Sequence, residues 1–254
     1  MHNILARRPQ RTFLRGDIWL FLASWYYYVM SQLTRRAWKG VAQFLGTLCL
    51  LLFLPAWTLR YWQAWWYIGI TAICVIVVTT DLIRNDRALL ERRLHVGPTA
   101  EKEKSQKLIM AFASVSFIAM FLISALDYRF HWSEVSPLDV EIGNLLVVLG
   151  FAIIFLVFRV NSHTAGTIGV EDGQQVIDSG PYSYVRHPMY VGGLILLLGT
   201  PPALASWWGE LAFFPILAAV VWRLLEEERF LGKELTGYSV YMRRVRSRLI
   251  PNIF

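Results

Sequence analysis

Blocks of about 20 apolar residues recur along this chain, and they limit its fold more than any other feature. A helix of that length carries its backbone hydrogen bonds internally and crosses the roughly 30 Å hydrocarbon core of a bilayer. The blocks run over Val41–Leu59, Ala64–Thr80, Leu108–Leu126, Asn144–Phe158, Met189–Ser206 and Trp208–Leu225. Pro55 is expected to kink the first of them near its end, and Pro201-Pro202 with Gly209 mark where the last two turn over. A hydrophobic share of 56% and an aromatic share of 15% exceed what a soluble domain carries. The expected fold class is an all-α integral membrane protein with about six transmembrane helices. Residues 1–143 would form an N-terminal membrane region and 144–254 a second unit. Ile18–Met30, short for a crossing and rich in Trp and Tyr, predicts a separate helix lying in the interface.

The net charge of +7 does not point to nucleic acid, because the basic residues stand at the edges of apolar blocks, where they set orientation and meet anionic lipid. Arg7, Arg8, Arg11 and Arg15 precede the first blocks. Arg84, Arg87, Arg92, Arg93, Lys102, Lys104 and Lys107 fill the 81–107 connection, which Gly97-Pro98 divides, and RRVRSRLIP closes the tail. The 60–63, 127–143 and 206–210 connections hold only Arg60 and Arg129. Six crossings put every basic segment on one side, so both termini are expected in the cytoplasm, of a bacterial inner membrane or its equivalent. The polar 159–187 segment and the acidic cluster after Leu225 then share that side. No cleaved signal peptide is expected at the N-terminus. Cys49 and Cys74 sit inside apolar runs, His95 and His131 fall on opposite sides, and His163 reads as a solvated loop residue. No metal site is expected. Asp81 and Asp127 read as interface residues capping the ends of crossings.

Two polar clusters remain. The first lies in SGPYSYVRHPMYVGG, residues 179–193. Pro188 disfavours the α conformation at His187 and is suited to open a helix. The N-terminus of that helix offers unpaired N–H groups to an anionic atom, while His187 and Tyr190 add hydrogen bonds and ring surface. An interfacial belt of Tyr and Arg would also produce such a pattern. The second cluster is Arg223 with Glu226 and Glu227, spaced to share one helical face. Adjacent carboxylates at a membrane edge are costly unless they meet water or a cation. Glu228 reads as part of a solvated face.

Thr164-Ala165-Gly166, Gly180-x-Tyr182, Arg186-His187-Pro188-x-Tyr190-x-Gly192, Glu226-Glu227, Tyr238, Tyr241, Arg244-Val245 and Pro251 together resemble the isoprenylcysteine carboxyl methyltransferase family of integral membrane methyltransferases. The resemblance covers roughly residues 144–254, which it marks as the methyltransferase core. It implies S-adenosyl-L-methionine as methyl donor, bound by Gln174, Gln175, Val176, Ile177, Tyr182, Arg186, His187, Pro188, Met189, Tyr190 and Glu226. It implies a lipophilic or lipidated acceptor, possibly a carboxylate, with Arg223 and Glu227 in catalytic positions. Eukaryotic members carry an arginine four residues before the glutamate. Trp222 stands there in this chain, which leaves the acceptor open, since one residue turns a helical side chain by about 100°. A carboxylate acceptor needs no base, whereas an amine or thiol would need Glu227 or His187. Phospholipid N-methylation, a nicotinamide-dependent membrane reductase and a non-catalytic membrane protein are the alternatives. No strand–glycine–helix unit of a soluble methyltransferase is legible, and few polar residues interrupt the first three crossings, which counts against a transporter.

Overall fold

The computed structural model describes residues 15–94, 103–164, 169, 173–251 and 253–254, with residues 15–30 described by backbone alone. Arg7, Arg8, Arg11, His95, Gly97-Pro98, Lys102 and Ala165-Gly166 lie outside the described residues. Every regular element among those described is helical: α1 (Arg15–Ala56), α2 (Trp62–Asn85), α3 (Arg87–Leu94), α4 (Lys104–Phe130), α5 (Pro137–Val160), α6 (Pro188–Ala203), α7 (Phe213–Glu234) and α8 (Tyr238–Arg244), with 3-10 turns at Gly180–Ser183 and Trp208–Ala212. Ser31–Ala56, α2, α4, α5 and Trp208–Glu234 are long and apolar enough to cross a membrane. The chain is thus an all-α integral membrane protein.

Two elements differ from expectation. Ile18–Met30 is not a separate helix, because α1 runs unbroken from Arg15 to Ala56. The physical reason is that residues 31–39, SQLTRRAWK, contain no Gly or Pro and several good helix formers, so nothing stops propagation between the two apolar pieces. Pro55 falls in the last turn, and the helix ends where Trp57 adopts a left-handed φ of 57°. The fifth of the six expected crossings, α6, has only 16 residues, about 24 Å at 1.5 Å per residue, and is shorter than the five helices long enough to cross. Pro188 opens it and Pro201-Pro202 lie in its last turn, so both ends are set by proline.

α6 is positioned by an unusually close approach to α5. A Cβ on Gly143 would stand 2.4 Å from the Ala203 backbone nitrogen, and one on Gly150 2.5 Å from the Gly192 carbonyl oxygen. From the other side, a Cβ on Gly199 would stand 2.5 Å from the Gly143 carbonyl oxygen. Glycines seven residues apart on each helix therefore form one seam. In lipid, where no hydrophobic force drives helices together, such backbone contact supplies much of the packing.

At one end of the bundle the connections are fastened by Asp127, which is 1% exposed rather than interfacial. Its carboxylate accepts from Ser133 N and Ser133 Oγ, both at 2.7 Å, from Ser206 Oγ at 2.6 Å and from Trp208 N at 3.4 Å. Nearby, Tyr61 donates to the Leu204 carbonyl and stacks on Tyr128 with ring centroids 3.9 Å apart. The start of α4, the end of α5 and the start of α6 meet at the other end, together with α3 and α8.

Gly150→Ala and Gly199→Ala are each expected to destabilise the protein in detergent by about 1–3 kcal/mol, the usual cost of overpacking. Gly69→Ala, with open space around it, should be close to neutral. Thermal unfolding midpoints compare the three.

Candidate active site

The segment before α6 is pinned by main-chain contacts that no local propensity would supply. Arg186 N donates to Ser247 O at 2.9 Å and His187 N to Arg248 O at 3.1 Å. Arg186 Nη1 donates to the carbonyls of Val245 and Arg246, both at 2.9 Å, and Tyr241 OH to the Tyr182 carbonyl at 2.8 Å. The tail after α8 therefore runs beside the Arg186-His187 pair and holds it. His187 takes φ −124° and ψ 60°, outside the helical region, and α6 begins at Pro188, as the proline requires.

Glu228 ties this arrangement to α7. It is 7% exposed, and it is not part of a solvated face. Its Oε1 accepts from Arg186 Nε at 2.6 Å and pairs with His187 Nε2 at 3.2 Å, while Oε2 accepts from Arg248 Nε at 2.9 Å. Desolvation of this carboxylate is offset because each oxygen meets a cation.

The segment, α6, α7 and α8 enclose a cavity. Gln174, Gln175, Val176, Ile177, Tyr182, Arg186, His187, Pro188, Met189 and Tyr190 line it, with Arg223 and Glu227 of α7. Tyr190 OH donates to Glu227 Oε2 at 2.6 Å and accepts from Arg223 Nε at 3.1 Å, and its ring lies 5.6 Å from that of His187. Arg223 also donates from Nη1 to Gln106 Oε1 at 3.0 Å. One phenol thus joins the two sequence clusters, with Glu227 and Arg223 on the face of α7 that looks into the cavity.

Glu226 is placed elsewhere. It is not among the lining residues. Its carboxylate accepts from Gln106, from Ser105 Oγ at 3.0 Å and from Trp222 Nε1 at 2.9 Å. One residue along α7 is about 100° around it, so Glu226 faces α4 while Glu227 faces the cavity. Asp81, at the same end, accepts from Arg159 Nη1 at 3.1 Å.

Several lining residues escaped the sequence reading. His163 lines the cavity instead of lying free in solvent, and Asn161, Leu231, Leu235 and Tyr238 join it. The signal for one of them was present: Leu231 follows Glu227 by four residues and Arg223 by eight, on one helical face. Gln106 was hidden because α4 lies more than 80 residues away in sequence. Burial raises the phenol pKa values of Tyr182, Tyr238 and Tyr241, so all three remain neutral at neutral pH. The Tyr238 hydroxyl is buried with no hydrogen-bond partner, in the wall of the cavity.

Residues 138–236 match the model of the family described as phospholipid methyltransferase. No curated protein matches the chain.

Glu228→Ala strands Arg186 without its carboxylate and should cost about 3–5 kcal/mol, as loss of one partner of a buried pair does. Glu226→Ala removes a half-buried carboxylate whose donors are all uncharged and strands no buried cation, so it should cost clearly less. Denaturation of the two variants in detergent, side by side, measures the difference; equal losses would contradict the network described.

Proposed function

We propose, from the match of residues 138–236 to the phospholipid methyltransferase family, integral membrane methyltransferases related to the isoprenylcysteine carboxyl methyltransferases, that the cavity binds S-adenosyl-L-methionine and opens to an acceptor carried by the membrane. The chain is a membrane methyltransferase; the ligand, the residues that hold it and the acceptor are our reading.

One observation carries it: a carboxylate, ring faces and an orphaned hydroxyl converge on one cavity. Glu227 and the rings of Tyr182, Tyr190 and Tyr238 suit a sulfonium cation and a flat base. Gln174, Gln175 and the unpartnered Tyr238 hydroxyl suit the polar groups of the donor. When bound, the donor supplies an electrophilic methyl group, and its transfer to a nucleophile mainly needs alignment and exclusion of water. Tyr190, held between Glu227 and Arg223, is fixed in position for that task. His187 Nε2 is engaged by Glu228, which makes His187 a positioning group. Glu227 is the base candidate.

The acceptor is lipid-borne. A phospholipid amine is favoured by the family description and by Glu227, which can accept a proton from an ammonium group or orient it. A lipophilic carboxylate is the second reading, supported by Arg223 in the same wall. The cavity lies at the end of the bundle where Arg84, Arg87, Arg92 and Arg93 cluster, which supports a cytoplasmic position.

Calorimetric titration of the purified chain with S-adenosyl-L-methionine should detect binding, weakened about tenfold or more by Glu227→Gln, Tyr238→Phe or His187→Ala. Absence of binding to the unsubstituted chain would sink the reading. Methyl-labelled donor, incubated with the protein in vesicles containing phosphatidylethanolamine and an isoprenylated cysteine, identifies the acceptor by which one gains label. The pH profile separates the same two. Methylation of an amine should rise with pH up to the amine's pKa, near 10, because only the unprotonated form is nucleophilic. Methylation of a carboxylate should be flat above about pH 5.

A further inference from the structure

Arg93 closes α3, in the basic connection of the first half of the chain and outside the matched segment 138–236. α3 is not a loose loop. Leu89 is 0% and Leu90 4% exposed, packed with Ala37 of α1 and Leu82 of α2. The helix therefore presents Arg93 from a fixed base, and the side chain turns inward. Its Cζ sits 4.7 Å over the ring of Phe158 in α5, and its Nη2 lies 2.9 Å from Met189 Sδ, in the first turn of α6. Arg93 thus stands one side chain behind the cavity wall.

Its chemistry there is incomplete. The Nε atom is buried and has no hydrogen-bond partner. Burial lowers the pKa of the group to about 10, and its electrostatic neighbours are Tyr182, Tyr190, Glu227 and Arg223, all in the cavity wall. It remains a cation at neutral pH. The arginines around it meet better acceptors: Arg186 and Arg248 share Glu228, and Arg223 reaches Gln106 and Tyr190. Arg93 has a thioether, which is a weak acceptor, and a ring face. A buried donor without an acceptor costs free energy that an incoming anion would recover. A guanidinium is shaped to take carboxylate or phosphate oxygens. Met189, unbranched and adaptable, is the side chain that must move aside.

Resting on the methyltransferase reading above, we propose that Arg93 is an oxyanion-binding residue of this site, taking a phosphate or carboxylate that enters past Met189. The two sources of such a group are the headgroup of a phospholipid acceptor and the methionine carboxylate of the donor. In the first case the headgroup would lie between Arg93 and Glu227, phosphate towards one and amine towards the other.

The test uses the full chain in non-ionic detergent and two matched probe pairs, followed by calorimetry. S-adenosylhomocysteine is compared with its decarboxylated form, and dihexanoylphosphatidylethanolamine with dihexanoylglycerol. Arg93→Gln should weaken one anion-bearing probe by about tenfold or more, the range of a charge-assisted hydrogen bond, and leave the counterpart that lacks the carboxylate or phosphate unchanged. Arg93→Lys, which keeps the charge and the stem but lacks Nε, should fall between, and it serves if the glutamine variant does not fold. A loss confined to the phospholipid assigns the acceptor's phosphate; a loss confined to S-adenosylhomocysteine assigns the donor's carboxylate. Unchanged binding of both anion-bearing probes, or equal weakening within each pair, overturns the proposal and leaves Arg93 as packing between α3 and α5. Failure of the unsubstituted chain to bind S-adenosylhomocysteine would count against the methyltransferase reading of the cavity instead, and the phospholipid pair would still judge Arg93.

Discussion

The arrangement of the site depends on a single buried carboxylate. Glu228 collects Arg186, His187 and Arg248, which come from the segment before α6 and from the tail beyond α8. Without it, the buried Arg186 and His187 and the half-buried Arg248 would lie close together, an arrangement that desolvation and mutual repulsion oppose. With it, two stretches far apart in sequence share one point on α7. The main-chain bonds from Arg186 and His187 to Ser247 and Arg248 complete the clamp. The cavity is what remains between the clamped segment and the next turns of α7.

A second constraint acts from within the membrane. The glycine seam of α5 and α6 brings the two backbones together, which lets a 16-residue helix sit securely in the bundle. Because α6 is anchored along its length, its first turn is carried to a defined place beside α7. That is where Tyr190 meets Glu227 and Arg223. Asp127 and its hydroxyl and amide donors secure the opposite end. The polar work is thus done at the ends of the bundle and the close packing in its middle, as expected where the surrounding lipid competes for apolar contact but not for hydrogen bonds.

The first half of the chain is not merely an anchor. α4 sends Gln106 between Arg223 and Glu226, accepting from one and donating to the other. α3 sends Arg93 behind Met189. Neither residue belongs to the motifs of the second half, yet both touch groups that face the cavity or support it. Substitutions in the N-terminal region can therefore reach groups at the cavity wall while the motif residues stay the same.

The amino-acid sequence alone determined the membrane-spanning character, the helical class and the positions of most crossings, because a bilayer forces each apolar run to satisfy its own backbone. It also marked the stretch around His187 and the acidic end of α7, since proline, glycine and clustered carboxylates are costly at a membrane edge without a purpose. The continuity of α1 was missed because amphipathic and apolar pieces look separable when only hydropathy is read. Which glutamate faces what was decided by tertiary structure. Glu226, Glu227 and Glu228 are chemically identical neighbours, but successive 100° rotations send them to α4, to the cavity and to the buried arginines. Local spacing states those angles without saying what lies at the end of each one. The partners, Gln106, Tyr190 and Arg186, come from distant parts of the chain, and only folding brings them within hydrogen-bond distance.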